Sequence, residues 1–75
     1  MDADMKRLMR LSEVTSNTGL SRPTIYKRMA MGVFPKPVPI GERAVAWVSD
    51  EIEAWILERI EDRDRLFREL SELAG

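Results

Sequence analysis

The 75-residue sequence predicts a mainly α-helical fold with one small β-hairpin. Three observations carry that prediction. Two short helix signals are separated by a break at Asn17-Thr18-Gly19. A Pro-interrupted connector leads into two short β-branched runs around Gly41-Glu42-Arg43-Ala44, and a long apolar stripe at helical spacing follows Ser49. A chain of this length holds one domain with one modest core. Cysteine and histidine are both absent, so disulfides, thiolate metal sites and the commonest general base are excluded, and packing alone must hold the fold.

Residues 1–7 begin with two aspartates and no apolar period, which predicts a loose terminus. Leu8-Met9-Arg10-Leu11 then reads as a short extended stretch. Ser12 before Glu13 fits a helix N-cap with a carboxylate in the first turn, Val14 is the central apolar residue of that helix, and Gly19 stops it by tolerating a left-handed backbone. A second helix begins at Ser21-Arg22-Pro23, with Ser21 or Arg22 as its cap, because a first-turn proline forfeits no intrahelical hydrogen bond. Ile25 and Met29 form its inner edge and Gly32 ends it.

Phe34-Pro35-Lys36-Pro37-Val38-Pro39 cannot be helical, since alternate prolines remove donors and push their neighbours into extended geometry. Residues 38–40 and 45–48 are the expected hairpin strands. Ser49 followed by Asp50, Glu51 and Glu53 signals a third helix start, and Ile52, Trp55, Ile56 and Ile60 mark its apolar stripe. Trp47 and Trp55 belong to the core on this pattern. Past Ile60 the run Glu61-Asp62-Arg63-Asp64-Arg65 contains no breaker, so the helix can continue through Leu66, Phe67, Leu70 and Leu73.

The net charge of −1 conceals an asymmetry. Residues 6–43 hold eight basic and two acidic side chains, a balance of +6, whereas residues 44–75 hold four basic and nine acidic, a balance of −5. A basic segment joined to an acidic one suggests a phosphate-facing surface and a face turned away from it. The layout of helix, tight turn and helix is the one in which a second helix lies in the major groove while the first braces it. At about 100° per residue, Ile25 and Met29 point inward while Pro23, Thr24 and Lys27 point out, with Tyr26 and Arg28 on the flanks.

Ser21, Arg22 and the free amides of the first turn stand at the positive end of the helix dipole, where a phosphate or a base-edge acceptor is favoured. Thr24 offers a hydroxyl and a methyl, Lys27 reaches guanine or phosphate, and Tyr26 and Arg28 reach the backbone. Arg43 at the hairpin tip and Lys36 at its base are candidates for a second contact, on the backbone or in the adjacent minor groove.

These blocks resemble the AlpA-type phage and prophage regulators, which are related to excisionases and to MerR-like winged helix domains. The resemblance spans residues 8–58. It rests on Leu11-Ser12-Glu13-Val14, on Thr18-Gly19-Leu20-Ser21-Arg22-Pro23-Thr24-Ile25-Tyr26-Lys27-Arg28-Met29, and on Phe34-Pro35-Lys36-Pro37-Val38. Gly41-Glu42-Arg43-Ala44-Val45-Ala46-Trp47 and Glu51-Ile52-Glu53-Ala54-Trp55-Ile56 complete it. It implies a winged helix-turn-helix fold, double-stranded DNA as partner, and a role in transcriptional control or in excision of a mobile element. It also implies DNA contacts from Arg22, Thr24, Tyr26, Lys27, Arg28 and Arg43. Many relatives carry a further basic residue where this chain has Ala46, which implies a weaker hold by its wing.

The expected organisation is therefore a terminus over 1–7, a winged helix-turn-helix DNA-binding domain over 8–60 and a helical extension over 61–75. No nucleophile with a base and no Gly-rich phosphate cradle is present, so neither an enzyme nor a cofactor or small-molecule ligand is expected. No apolar run matches a bilayer span and the start lacks the pattern of a secretory signal, so the expected setting is cytoplasmic and nucleoid-associated, with no membrane partner. Two rival readings are an excisionase-like DNA-bending factor and a protein-interaction module built on the last helix. The apolar residues of that extension either fold back on the core, dock into a partner or pair with a second copy, and copies side by side on DNA would serve the same end.

Overall fold

The computed structural model describes residues 5–74. The terminus expected over 1–7 therefore lies largely outside the described residues. Six elements follow in the order β1 (Leu8–Met9), α1 (Leu11–Thr18), α2 (Arg22–Ala30), β2 (Val38–Gly41), β3 (Ala44–Val48) and α3 (Ser49–Ala74). The fold is thus mostly helical with a small antiparallel sheet of order β1-β3-β2, an arrangement compatible with a winged helix. Leu8 and Met9 pair with Val48 and Trp47, and Val38, Pro39 and Gly41 pair with Ala46, Val45 and Ala44 across a bulge. Pro39 is accommodated because β2 is an edge strand.

Strand β3 is the hub: β1 and β2 flank it, and α1 and α3 pack upon it, while α2 packs on α1. The reason lies in its sequence. Ala46 and Trp47 are both fully buried, and Trp47 shares one core cluster with Met9, Val14, Ile25, Phe34, Ile52 and Trp55. Each fully buried large apolar side chain contributes roughly 1.5–3 kcal/mol, so this one cluster supplies most of the driving force available to so short a chain. The two tryptophans also fix the connector. The Trp47 indole donates to the Pro35 carbonyl and the Trp55 indole to the Val33 carbonyl, each at 3.0 Å, and Phe34 meets Trp55 edge-on with ring centroids 5.0 Å apart.

Local chemistry sets the boundaries, with some departures from expectation. Arg10, not Ser12, is the N-cap of α1, because β1 runs through an extended Arg10 directly into the helix and Leu11 turns in toward the core. Glu13 reaches back instead, accepting from the Arg10 amide at 3.4 Å and from the Arg7 guanidinium at 3.3 Å. Gly19 ends α1 at φ +75°, its amide donating to the Thr15 carbonyl.

Of the two candidate caps of α2, Ser21 is the one used. Its Oγ accepts from the Thr24 amide, and Pro23 sits within the first two positions of the helix. At the other end Gly32, at φ +77°, donates to the Met29 carbonyl while Val33 donates to the Arg28 carbonyl, the paired bonds that close a helix with a left-handed glycine. The hairpin strands reach further in than the sequence suggests, leaving Glu42 and Arg43 as the whole turn. Ser49 is not a cap but the first residue of α3, because the Arg7 carbonyl beside β1 accepts its amide at 2.7 Å. Asp50 and Glu51 do occupy the first turn, where the dipole favours them.

The largest departure concerns α3. Ile52 and Trp55 are buried and Ile56 packs against them, but Ile60 is 38% exposed, and every described residue beyond it is exposed. The tail does not fold back. It continues as one helix of 26 residues, about 39 Å long at 1.5 Å per residue. The radius of gyration is accordingly 15.5 Å, against about 11 Å for a compact chain of this length. No helix among the described residues is long and apolar enough to cross a membrane.

Candidate nucleic-acid interface

Helix α2 is exposed over much of its surface. Only Ile25 is fully buried, with Met29 partly so, because α2 leans on α1 and leaves the rest of its circumference open. Its Arg22, Pro23, Tyr26 and Lys27 are exposed, whereas Thr24 and Arg28 are half-buried. The outward placement read for Thr24 is therefore only partly realised. Its Oγ1 accepts a hydrogen bond from Ser21 Oγ at 2.9 Å, so both hydroxyls are engaged in the helix cap and Thr24 keeps one hydroxyl proton to donate outward.

An open concavity of about 650 Å³ lies between the start of α1, the first turns of α2 and the base of β3. Arg10, Ser12, Arg22, Tyr26 and Arg43 line it, with Leu11 and Val45 as part of its apolar floor. Three of the expected contact residues, Arg22, Tyr26 and Arg43, thus converge although they come from two elements far apart in sequence. Arg10 joins them unannounced. The sequence signal for it was its place as a basic residue next to the α1 start, obscured when Ser12 is taken as the cap.

Lys36 does not join this group. It lines a separate, more apolar concavity with Gly32, Phe34, Glu51, Trp55 and Glu58, because the indole bonds to Pro35 and Val33 hold the connector against β3 and α3.

The charges differ in how they are satisfied. Ion pairs join Lys6 to Asp50, Arg7 to Glu13, Arg59 and Arg65 to Asp62, and Arg63 to Asp64. Among the described residues none involves Arg10, Arg22, Lys27, Arg28 or Arg43. The cations on and beside α2 therefore present their full field to solvent, and α2 has no acidic residue in its first turn to offset its positive end. No polar or charged side chain is buried among the described residues, and no group of three or more potential metal ligands is assembled there.

Comparison with known proteins gives this arrangement a family. The model of the family described as Prophage CP4-57 regulatory protein (AlpA) matches residues 7–60, the whole of the folded head. The chain belongs to the AlpA family. It is 42% identical over 64 residues to the uncharacterized protein ORF88 of Enterobacteria phage P4, covering 85% of this chain and 73% of the phage protein. It is 34% identical over 59 residues to the DNA-binding transcriptional activator AlpA of Escherichia coli strain K12, covering 71% of this chain and 84% of that activator. The match to the AlpA family ends at residue 60, four residues after Ile56, the last partly buried residue of α3 among the described residues.

Proposed function

We propose that this AlpA-family chain is a sequence-specific double-stranded DNA-binding regulator of phage or prophage transcription. Helix α2 enters the major groove, and the β2–β3 hairpin serves as a wing on the flanking backbone or minor groove. The observation that carries this reading is the gathering of Arg22, Tyr26 and Arg43, with Arg10, around one concavity whose cations no described carboxylate neutralises. A polyanion supplies the missing counter-charge, and an exposed helix of nine residues is a rod that the major groove admits. The Escherichia coli relative, named as a DNA-binding activator, supports the same assignment.

Roles follow from position. Lys27 and Arg22 reach base edges or phosphates from α2, Tyr26 and Arg28 contact the strand on either side, and Ser21 with its free amides holds a phosphate at the helix start. Arg43, in a two-residue turn with little freedom, fixes the wing on the backbone, and Arg10 steadies the same strand from the head of α1. Lys36 is left out of the core contact set because it faces α3.

The test is binding of the chain to duplexes selected from a random pool and to random duplex, each at two salt concentrations. The expected result is binding that weakens steeply with salt and prefers the selected duplex. Lys27→Ala is expected to cost about tenfold or more on the selected duplex and to flatten the preference, in line with roughly 1–3 kcal/mol for a base contact. Arg43→Ala is expected to weaken both duplexes alike. Absence of binding even at low salt would sink the proposal.

A further inference from the structure

Beyond the head, α3 projects with nothing packed against it. Ile60, Leu66, Phe67, Leu70 and Leu73 are 38, 53, 61, 49 and 84% exposed. At helical spacing these five fall within an arc of about 140°, while Glu61, Asp64, Arg65, Arg68 and Glu72 occupy the opposite side. Acidic and basic residues on one face with large apolar residues on the other describe a helix built to be covered. A lone stretch of fourteen residues past Ile60 is moreover close to the length at which an isolated helix is marginal in water.

We propose that this stripe pairs with the same stripe of a second copy of the chain, the two helices running antiparallel. Area and charge placement select that occupant. With about 150–250 Å² for a large side chain, the exposed fractions leave on the order of 500 Å² of apolar surface per copy. Two copies together reach about 1,000 Å², the threshold for a specific interface. The only charged residues inside the arc are arginines, Arg59 and Arg63, and both lie at its inner end.

A parallel pair in register would stack Arg63 on Arg63. An antiparallel pair that overlays the two stripes, Ile60 against Leu73, sends the arginines to opposite ends and lays each Arg63 along Leu70 of the other copy, beside Glu69. The arginine stems then cover apolar surface while their heads meet carboxylates. The charges already on the helix are compatible with this, since Asp62 bonds Arg59 and Arg65 and so leaves few isolated charges at the seam. The pairing needs no DNA, so its test stands apart from the regulator reading.

Sedimentation of the full chain without DNA is expected to give the mass of two copies at micromolar concentration. The double variant Phe67→Glu/Leu70→Glu is expected to give half that mass with unchanged tryptophan emission, which shows that the head remains folded. A wild-type chain that stays at one copy up to about 100 μM, where even a weak pair is populated, overturns the proposal, and a partner of another kind must then cover the stripe. Because the chain has no cysteine, direction is read by oxidation. In a mixture of Arg63→Cys and Leu70→Cys chains, a disulfide between the two variants is expected. Linkage of Arg63→Cys to itself as the main product overturns the antiparallel arrangement.

Discussion

The head and the tail of this chain leave opposite things unsatisfied. In the head a cluster of apolar side chains that includes Trp47 is buried, while Arg10, Arg22, Lys27, Arg28 and Arg43 have no ion-pair partner among the described residues. In the tail two of three arginines are paired with aspartates, while Leu66, Phe67, Leu70 and Leu73 stand in solvent. Unneutralised cations on a rigid scaffold invite a polyanion, and uncovered apolar residues on a helix invite another helix. Under the two proposals above, one short chain separates two kinds of recognition by physical force, electrostatic at one end and hydrophobic at the other.

The contrast can be broken most severely at Trp47. Trp47→Ala is expected to cost about 3–5 kcal/mol, comparable to the whole stability of a domain this small, and to abolish cooperative thermal unfolding by calorimetry. Removal of residues 62–74 is expected to do the opposite, leaving the melting of the head within a few degrees of the full chain at low concentration, since every described residue of that segment is exposed. A large loss there would mean that the head depends on the tail.

Smaller effects sharpen the boundary. Gly19→Ala forces a β-carbon onto a backbone at φ +75° and is expected to cost about 1–2 kcal/mol in chemical denaturation, although the space around it is open. The smallest expected effect is electrostatic. Hydrogen bonds from Arg65 and then Arg59 hold the Asp62 carboxyl below its ordinary value. Its contribution is therefore present above the ordinary carboxylate range and lost as pH falls through the lowered pKa. Helix content by circular dichroism should drop slightly in strong acid, and Asp62→Asn should remove that part of the drop. Both groups are exposed, so the change will be modest and will shrink further in high salt.

Much of this was legible in the sequence because glycine, proline and tryptophan leave few choices. Gly19 and Gly32 adopt the left-handed turns expected of them, and Trp47 and Trp55 anchor the core. The tail helix was legible as a possibility, but its course was not: an apolar stripe looks the same whether it folds back or projects. The cap of α1 was missed because a strand feeding straight into a helix lets Arg10 supply the extended geometry that Ser12 seemed to offer.

The candidate site divides in the same way. Arg22, Tyr26 and Arg43 were legible one by one as candidates from local pattern, and their convergence was not visible, because it depends on how the hairpin folds across α1. That Lys36 lines a separate concavity was not visible for a related reason. Its surroundings are set by two indole hydrogen bonds from residues 11 and 19 positions downstream, Trp47 and Trp55, which no local signal reveals.

Those two indoles have a practical consequence. The chain contains two tryptophans, both hold the same connector between α2 and the hairpin, and neither lies beyond residue 55. Their fluorescence is thus an internal gauge of the head alone, blind to the tail, whereas backbone dichroism sums over both. Recorded on one sample during a single heating ramp, the two signals will separate wherever the projecting helix frays before its anchor gives way, without any added label.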